Sequence, residues 1–475
     1  MNLSKLLKQN KIFEIVGRCA DELDLETYVV GGYVRDLMLH KLSKDIDFVC
    51  VGNGMKLAGM VSSKLGGLKV SYFKNFGTAM IKADGWELEF VGARKESYRR
   101  ESRKPIVENG TLQDDQSRRD FTINTMAIAL NKSGFGTLVD PFEGTEDLRR
   151  KSIKTPLDPV ITFSDDPLRI MRAVRFASQL GFDIEAHTFE AITNTTERLS
   201  IISQERITDE LNKIILSRTP SYGFKLLYHA GILQQIFPEL VALKGVETIN
   251  NQSHKDNFYH TLQVLDNVAK VSDDLWLRWA AILHDIAKPK TKRFNKKVGW
   301  TFHGHEDLGA RMVPGIFKKM RLPLNEHMRF VQNLVLLHLR PIALVKDHVT
   351  DSAIRRLIFE AGDDLEALMI LCRADVTSKN LEKAKKFLDN FDKVEKKMEI
   401  VESKDKIKNF QPIITGEIIM ETFNLKPSKL IGEIKEAIKE AILDGKIRNT
   451  YEEAFPYLLE VGNEKGLKPV ARNLG

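Results

Sequence analysis

The pattern of apolar and polar positions along the chain changes its period near residue 145. Before that point, short apolar runs typical of strands alternate with turns, as in TYVVGG, DIDFVCVG, GTAMIKA and ELEFVGA. Between the second and third runs, GMKLAGMVSSKLGG has the three- and four-residue spacing of an amphipathic helix. The first part of the chain therefore predicts an α/β domain.

Beyond this point the strand pattern nearly vanishes and helical spacing replaces it. The segments DPLRIMRAVRFASQLGF, TFEAITNTTERLS and QERITDELNKIIL repeat apolar residues every three or four positions. Helical spacing continues toward the end of the sequence, with interruptions at IFPEL, Pro341, Pro412 and Pro427. The whole pattern predicts an α+β protein in which an α/β domain precedes an all-helical region.

Length and charge narrow the possible partners. The chain has 475 residues, enough for several domains of about 100–200 residues each. Hydrophobic residues make up 43% and charged residues 29%, as in ordinary globular proteins. The net charge of +7 favours a polyanionic partner such as nucleic acid.

Cysteine usage and hydropathy exclude several classes of protein. Cys19, Cys50 and Cys372 are widely spaced and form no CxxC pair, which argues against a disulfide framework and a thiolate zinc site. The first residues, MNLSKLLKQNKIFEIVGRCADEL, lack the apolar core of a secretion signal. No run approaches the roughly 20 apolar residues that a membrane span needs. We therefore expect a cytoplasmic protein that does not bind membranes.

Two acids interrupt an otherwise apolar strand at Asp45 and Asp47. Residues i and i+2 of a strand point to the same face, so the two carboxylates repel each other unless a cation lies between them. Magnesium prefers carboxylate and phosphate oxygens as ligands. Glu89 follows Glu87 by two residues in WELEFVGARKE and is a candidate third acid. The alternative is a pair of solvent-facing acids at a strand end.

A glycine pair precedes these acids and changes their interpretation. Gly31 and Gly32 have no side chain to keep a phosphate from the backbone amides, and YVRDLMLH continues as a helix whose N-terminus favours anions. Arg35 adds a cation to the first turn. The dinucleotide-binding G-x-G-x-x-G and the P-loop motif are both absent. The chemistry that fits is two-metal, in-line phosphoryl transfer with Mg²⁺.

Five motifs in the same order resemble those of class II tRNA nucleotidyltransferases (CCA-adding enzymes) and bacterial poly(A) polymerases. VVGGYVRD…DIDFV resembles their catalytic motif, RRDFTINTMAIAL the ribose-contacting motif and DPFEGTEDL the hinge segment. DDPLRIMRAVRFA resembles the base-reading motif, and QERITDEL the helical motif behind it. The resemblance implies metal binding and catalysis by Asp45 and Asp47. It implies nucleotide binding by Gly31, Gly32, Arg35, Arg118, Arg119, Asp120, Asn124, Asp166, Arg169, Arg172 and Arg175.

The base-reading motif also has a chemical basis. Cytosine and adenine each present an exocyclic amine beside an unprotonated ring nitrogen, which suits a carboxylate acceptor next to a guanidinium donor. Guanine and uracil present a carbonyl instead, which leaves the carboxylate facing another acceptor. Asp166 and Arg169, three positions apart on a predicted helix face, fit these roles. The alternative is a capping acid and an ordinary surface pair.

The polar stretch RKESYRRESRKPIVENGTLQDD lies between the catalytic motif and the ribose-contacting motif. It resembles the mobile loop that the family uses to switch from C to A addition, and its length argues against the CC-adding branch. Its basic residues are candidates for holding RNA or triphosphate, and simple solvation is the alternative for each: Arg94, Arg99, Arg100, Arg103 and Lys104.

A second constellation lies in the helical region, in FYHTLQVL, LRWAAILHDIAKPK, FHGHEDLGA and LCRADVTS. A buried His-Asp pair costs several kcal/mol, about 2–7 for a polar group alone, unless a metal or hydrogen bonds satisfy it. The order H…HD…D resembles HD-domain phosphohydrolases and implies a site for Mn, Ni, Fe or Zn. A degenerate, purely structural site is the alternative. The implied ligands are His260, His284, Asp285 and Asp375, with His305 and His338 as candidates for a second metal or a substrate contact.

The resemblance implies an elongated protein with four parts. They are a nucleotidyltransferase-fold head (1–145), a helical neck (146–235), an HD domain (236–380) and a helical tail that contacts tRNA (381–475). The expected activity adds or repairs the 3′-terminal CCA of tRNA from CTP and ATP and releases pyrophosphate. The expected assembly is a monomer or a homodimer.

Three alternatives to this function stay open from the sequence. The first is a poly(A) polymerase or an A-adding specialist, because these enzymes share every motif above. The second is a phosphohydrolase that acts through the HD site and uses the head as a nucleotide sensor. The third is a non-catalytic RNA-binding protein, against which the intact pair Asp45 and Asp47 argues.

Overall fold

A computed structural model of the chain describes residues 1–99, 102–249, 252–344, 350–377 and 380–470. The chain forms two compact units, Met1–Pro238 and Glu239–Gly475. The first unit contains a mixed sheet with helices, and the second is helical apart from short strand pairs. The α+β class predicted from the sequence is therefore confirmed.

The first unit is built around a seven-stranded sheet in the order β3-β4-β5-β2-β1-β8-β9. Strands β2 and β5 pair in parallel, and the other neighbours in this sheet are antiparallel. The strands of this region, including a separate hairpin, are β1 (Thr27–Val30), β2 (Asp45–Cys50), β3 (Val70–Phe73), β4 (Thr78–Ala83), β5 (Trp86–Gly92), β6 (Arg94–Arg99), β7 (Ser102–Asn109), β8 (Ala127–Ala129) and β9 (Leu138–Val139).

Helices supply the rest of this unit, together with the short pair β10 (Ser152–Ile153) and β11 (Asp183–Ile184). The helices are α1 (Ser4–Leu7), α2 (Lys11–Glu22), α3 (Gly32–Met38), α4 (Gly54–Lys64), α5 (Leu112–Ser117), α6 (Gly144–Arg150), α7 (Pro159–Asp165), α8 (Leu168–Leu180), α9 (Ala186–Thr195), α10 (Gln204–Ile215), α11 (Pro220–His229) and α12 (Ile232–Ile236).

The sheet has an aromatic core on one face. The rings of Phe48 and Phe90 stack with centroids 4.9 Å apart, and Phe13 of α2 lies 6.1 Å from Phe48. All three side chains are fully buried. Because strand side chains alternate between faces, the neighbours of these rings, Asp47 and Glu89, project from the opposite face. Packing of the aromatic rings on the buried face of the sheet therefore fixes the positions of Asp47 and Glu89 on its open face.

The stretch between Arg94 and Asp115, which resembles a mobile loop in sequence, contains regular secondary structure in its described residues. Strands β6 and β7 form an antiparallel hairpin, and α5 follows it with a capping box in which Thr111 and Asp114 exchange hydrogen bonds. The described part of the stretch therefore contains two paired strands and a helix, and its role as a mobile element stays a prediction. The predicted contacts at Arg99, Arg100, Arg103 and Lys104 lie outside the part of the chain whose side chains the structure describes.

The second unit begins with α13 (Pro238–Val241), whose first residue ends the first unit. Its other helices are α14 (Asn257–Ala269), α15 (Leu275–Leu283), α16 (Lys288–Thr291), α17 (His305–Lys319), α18 (Glu326–Leu337), α19 (Leu339–Leu344), α20 (Asp351–Ala361), α21 (Leu365–Asp375), α22 (Leu381–Asp405), α23 (Gly416–Phe423), α24 (Lys429–Asp444) and α25 (Tyr451–Glu464).

Two details of the second unit correct the helical pattern read from the sequence. Short strand pairs interrupt it, β12 (Thr248–Ile249) with β13 (Gln252–Ser253) and β14 (Arg293–Asn295) with β15 (Gly299–Thr301). The Asn295 side chain accepts a hydrogen bond from the Lys297 amide at 2.8 Å, a local turn signal that the surrounding lysines obscure. Pro341 lies in the first turn of α19, where a missing amide is tolerated.

Among the residues that the structure describes, no helix is both long enough and apolar enough to cross a membrane.

Candidate active site and metal cluster

A polar cleft of about 660 Å³ opens in the first unit where β1, β2, α3 and α8 meet. Strands and helices distant in sequence contribute to its walls. Every residue predicted to bind nucleotide lines this cleft, together with both catalytic acids: Gly31, Gly32, Arg35, Asp45, Asp47, Arg118, Arg119, Asp120, Asn124, Asp166, Arg169, Arg172 and Arg175.

The turn at Gly31 is possible only for a residue without a side chain. Gly31 has φ of 73° and ψ of −133°, and a Cβ built on it would lie 2.9 Å from the Arg119 Nη1 and 3.5 Å from the Asp47 Oδ2. The amide of Gly31 donates to the Met126 carbonyl at 3.2 Å, so this amide does not face an anion. The amides that follow in the first turn of α3 lack intrahelical acceptors. Gly31 therefore shapes the turn, and the first turn of α3 presents the donors.

The predicted acids lie side by side on the open face of the sheet. The parallel register pairs Asp45 with Glu87 and Asp47 with Glu89. Burial raises the pKa of Asp47, and the nearby Asp45 adds to this while Arg119 opposes it. Burial and Asp47 likewise raise the pKa of Glu89. Close carboxylates whose pKa values are raised in this way, as at Asp47 and Glu89, fit a divalent cation between them.

Asp115 is a member of the site that the sequence analysis missed. Its buried carboxylate binds two arginines: Oδ1 lies 2.5 Å from the Arg118 Nη2, and Oδ2 lies 2.9 Å from the Arg119 Nη2. Burial alone would raise the pKa of Asp115, but Arg119 and Arg118 together hold it below its usual value. The spacing DDQSRR places an acid three and four residues before the two arginines, which was the available signal.

A chain of hydrogen bonds connects Asp120 to the glycine turn. The Asp120 Oδ2 accepts from the Arg172 Nε at 2.7 Å, and its Oδ1 accepts from the Asn124 Nδ2 at 3.0 Å. The Asn124 Oδ1 in turn accepts from the Arg35 Nη1 at 2.9 Å. Asp120 is nearly buried, so it acts by orienting Asn124 and Arg172 toward the cleft.

Asp166 and Arg169 both line the cleft, but they do not share a helix face as expected. Helix α7 ends at Asp165 and α8 begins at Leu168, and Asp166 between them is extended. The Asp166 Oδ1 accepts from the Leu168 amide at 3.2 Å, so the capping role left open by the sequence is present. The Arg169 guanidinium donates to the Arg118 carbonyl at 2.6 Å, which fixes its position.

Phe176 and Glu210 organise the remaining arginines and were also missed. The guanidinium carbons of Arg35, Arg172 and Arg175 lie 5.1, 5.4 and 4.2 Å from the centre of the Phe176 ring. The Arg175 Nη1 is 2.9 Å from the Glu210 Oε2, and both side chains are nearly buried. Cation–π contacts of this kind contribute about 0.5–2 kcal/mol each. The ring of Phe176 thus contacts three arginine side chains that line the cleft.

A second cluster lies in the other unit and brings together the six predicted HD-type residues. The His260 Nε2 lies 2.9 Å from the Asp375 Oδ1, and the His284 Nε2 lies 3.3 Å from the Asp285 Oδ2. These residues come from α14, from the end of α15 and from the last position of α21. His305 and His338 complete the cluster, and both are buried.

Backbone carbonyls orient three histidines of this cluster as metal ligands are usually oriented. The Nδ1 atoms of His284, His305 and His338 lie 2.8, 2.7 and 2.7 Å from the backbone carbonyl three residues earlier, so each Nδ1 is the donor. The Nε2 of each is then an acceptor, and these three buried atoms have no hydrogen-bond partner among the residues that the structure describes. Burial lowers the pKa of His338 to about 4, which keeps it neutral. Neutral imidazoles oriented by a backbone carbonyl are typical metal ligands.

Asp285 divides the cluster into two halves. Its Oδ2 lies 3.5 Å from the His260 Nε2 and 3.3 Å from the His284 Nε2. Its Oδ1 lies 3.3 Å from the His305 Nε2 and 4.0 Å from the His338 Nε2. Each half can hold a metal ion, with the Asp285 carboxylate shared between the two.

Two further residues of the cluster escaped the sequence analysis. The Lys288 Nζ lies 2.6 Å from the Asp285 Oδ2, and the Thr377 hydroxyl lies 2.9 Å from the His260 Nδ1. The spacing of HDIAK places the lysine one helical turn after the aspartate, and LCRADVTS places the threonine two residues after Asp375. Both residues orient ligands that the motif already contained.

Comparisons with known proteins match both units. Residues 27–154 match the family "Poly A polymerase head domain", and residues 181–243 match "Probable RNA and SrmB- binding site of polymerase A". Residues 257–380 match the HD domain, and residues 359–455 match domain 2 of tRNA nucleotidyltransferases.

Individual proteins similar to this chain are also tRNA nucleotidyltransferases. A multifunctional CCA protein of Nitrosococcus oceani is 31% identical over 368 residues, which cover 75% of this chain and 86% of that protein. An A-adding tRNA nucleotidyltransferase of Geobacter sulfurreducens is 38% identical over 279 residues, which are 58% of this chain and 29% of that protein. The match thus spans less than a third of that relative's length.

The fold is also found in solved structures. The apo form I of a CCA-adding enzyme matches with a TM-score of 0.65 and 22% identity, and the match covers 97% of both chains. At this identity the similarity concerns the fold.

Metal binding by the HD-type cluster predicts a rise in stability. Saturation with Mn²⁺ or Ni²⁺ at a hundred times the dissociation constant should stabilise the second unit by about 2.7 kcal/mol. Asp285→Asn should lose most of this stabilisation, because the shared carboxylate becomes a weaker neutral ligand. His327→Ala is the matched control, because His327 stacks on Trp276 outside the cluster. Thermal unfolding with and without metal measures the effect, and equal stabilisation of Asp285→Asn and the native protein would contradict the assignment.

Proposed function

The chain belongs to the family of tRNA nucleotidyltransferases and poly(A) polymerases, and on that premise we propose that it adds or repairs the 3′-terminal CCA of tRNA. CTP and ATP are the proposed nucleotide substrates. The observation that carries the proposal is one cleft that contains paired acids, clustered arginines and the pair Asp166 and Arg169. In the proposed reaction, the RNA 3′-oxygen bonds to the α-phosphorus, the bond to the β-phosphate breaks, and pyrophosphate leaves.

Membership in a nucleotidyltransferase family implies the use of a divalent metal ion. We propose Mg²⁺ in the head, held by Asp45 and Asp47 with Glu89 beside them, because the strand register brings these carboxylates together and neighbouring acids raise the pKa of Asp47 and of Glu89. When bound, it would neutralise phosphate charge and favour the deprotonated hydroxyl.

The arginines of the cleft provide a preorganised environment for the triphosphate. Asp115 binds Arg118 and Arg119, and Phe176 lies against Arg35, so these cations need little reordering when a nucleotide binds. The first turn of α3 adds backbone amides at the same edge of the cleft. The proposed role of these groups is to hold the phosphates in line with the attacking hydroxyl.

The nucleotide base would be selected by Asp166 and Arg169. The Asp166 Oδ1 caps α8, which leaves the Oδ2 to accept from the exocyclic amine of cytosine or adenine. Arg169, anchored on the Arg118 carbonyl, would donate to the neighbouring ring nitrogen. This arrangement excludes guanine and uracil, whose carbonyls would face the carboxylate.

The HD-type cluster supports a second proposed activity, the hydrolysis of phosphate mono- or diesters. Three buried Nε2 atoms that have no hydrogen-bond partner within the described ranges fit Mn, Ni, Fe or Zn, and two ligand groups share Asp285. Metal ions there would lower the pKa of bound water and polarise the phosphate.

The four-part domain boundaries, the cellular compartment and the oligomeric state stay predictions.

The main proposal is tested with tRNA that lacks its CCA end and each labelled nucleotide in turn. We expect C to be incorporated twice and then A once. Long A tails without C would favour a poly(A) polymerase, and A added only to tRNA that already ends in CC would indicate an A-adding specialist. No incorporation into any RNA would contradict the proposal.

Removal of the Asp166 carboxylate should relax base selection. In Asp166→Ala, we expect the preference for CTP over UTP to fall about tenfold or more, because a carboxylate–base contact accounts for about 1–3 kcal/mol of discrimination. Asp209→Ala is a matched control, since Asp209 is exposed on α10. Single-nucleotide incorporation kinetics with each nucleotide measure the ratio, and an unchanged ratio in Asp166→Ala would refute the assigned role.

The two proposed activities should separate by mutation. Asp47→Ala should abolish nucleotide addition and retain Mn²⁺- or Ni²⁺-dependent hydrolysis of bis-p-nitrophenyl phosphate. Asp285→Asn should do the reverse, because the two residues lie in different units. Parallel assays of both variants check this, and loss of both activities in Asp47→Ala would show that the sites are not independent.

A further inference from the structure

Asp166, the proposed acceptor for the nucleotide base, lies in the short junction between α7 and α8. An α-helix leaves its last four carbonyls without intrahelical partners. In α7 these include the Ser164 carbonyl, whose partner in a continuing helix would be the amide of Leu168, four residues later. That amide donates to the Asp166 Oδ1 at 3.2 Å instead. The Asp166 side chain therefore takes a donor that the end of α7 would otherwise use.

Pro167 prevents the chain from closing this helix end with another amide. Proline has no N–H group, and it disfavours helical backbone angles at the residue before it. Asp166 accordingly has φ of −135° and ψ of 97°, outside the helical range. A donor for the Ser164 carbonyl must come from another segment of the chain.

Arg198 supplies this donor. Its Nη2 donates to the Ser164 carbonyl at 2.8 Å from a 3₁₀-helix, Thr196–Ile201, that follows α9. Helix α9 packs against α7, and Leu199 of the 3₁₀-helix is buried, so the backbone that carries Arg198 is held in place. Arginine side chains commonly bind the last carbonyls of a helix in this way.

Arg169 contacts the same end of α7 from the cleft. Its Nη1 donates to the Thr162 carbonyl at 3.4 Å, and its Nη2 donates to the Arg118 carbonyl at 2.6 Å. Arg169 lines the cleft, whereas the cleft lining contributed by the described residues does not include Arg198. One arginine is placed to contact the nucleotide, and the other acts through the backbone of α7.

Resting on the proposed function, we propose that Arg198 is a positioning residue that sets base selection from outside the cleft. It holds the Ser164 carbonyl, which leaves the Leu168 amide to the Asp166 Oδ1 and the Oδ2 to the base. Without Arg198, the Ser164 carbonyl competes for that amide, because a carbonyl at this half-buried position needs a donor. The Asp166 carboxylate then loses its fixed orientation.

The test removes the donor and keeps most of the bulk of the side chain. Arg198→Met should lower the preference for CTP over UTP about fivefold, the effect of one lost hydrogen bond. Arg198→Lys should retain the preference within about twofold, because lysine can still donate to the carbonyl. Arg218→Met is the matched control, since Arg218 is exposed between α10 and α11. Single-nucleotide incorporation kinetics measure each ratio, and a protein that adds only A is tested with ATP against GTP.

A double-mutant cycle separates positioning from a general loss of structure. If Arg198 acts through Asp166, Arg198→Met should change the ratio by less than about twofold in the Asp166→Ala background. A further fivefold loss in that background, or an unchanged ratio in Arg198→Met itself, would overturn the proposal.

Hydrogen exchange tests the same contact without a nucleotide. Peptides that span residues 160–170 should exchange faster in Arg198→Met than in the native protein, Arg198→Lys and Arg218→Met, because the α7–α8 junction opens more often. Peptides of the second unit should exchange at the native rate in all four proteins. Equal exchange of residues 160–170 in Arg198→Met and the native protein would contradict the positioning role. If this local difference is present but the native protein incorporates no nucleotide, the proposed function alone is refuted.

Discussion

The parallel pairing of β2 with β5 is the constraint on which the head site depends. It places Asp47 beside Glu89, and the period of the strand adds Asp45, so negative charge is concentrated on one open face. Arginines around this charge have anionic or aromatic partners, such as Asp115 for Arg118 and Arg119, and Arg169 is held by the Arg118 carbonyl. Burying such ion pairs costs desolvation energy, but it fixes donors before the substrate binds.

The second unit also fixes polar side chains before a ligand binds, and it does so with histidines in place of arginines. Six polar side chains converge in an apolar helical core, and each histidine commits one ring nitrogen to a carbonyl or a hydroxyl. The Nε2 atoms of His284, His305 and His338 are left as acceptors around Asp285, while the His260 Nε2 lies against the Asp375 carboxylate. Without a bound cation this arrangement carries an unfavourable polar burial, which is the physical reason to regard it as a binding site.

Much of the site could be predicted because its motifs are short in sequence. The alternation in DIDFV, the glycine turn and the order H…HD…D each contain a local period or a spacing that determines which side chains meet. The side chains that contact the arginines of the cleft were harder to predict from the sequence. Glu210 reaches Arg175 from another helix, and Phe176 holds three arginines, although nothing in its own segment distinguishes it from a core residue.

By itself, the sequence determined the α+β class, the family and the residue types of both sites, because periodicity and motif order are local properties of the chain. Only the tertiary structure decided three features. Asp166 lies outside the helix that it caps, the polar stretch after Arg94 pairs with itself, and a second hollow, lined by Phe73, Met80, Glu89 and Arg94, opens beside Asp47. The cap and the strand pair are local contacts, but their short polar segments fit a helix or a loop equally well, so periodicity does not select between them. The hollow depends on strands that are distant along the chain, and no single segment encodes it.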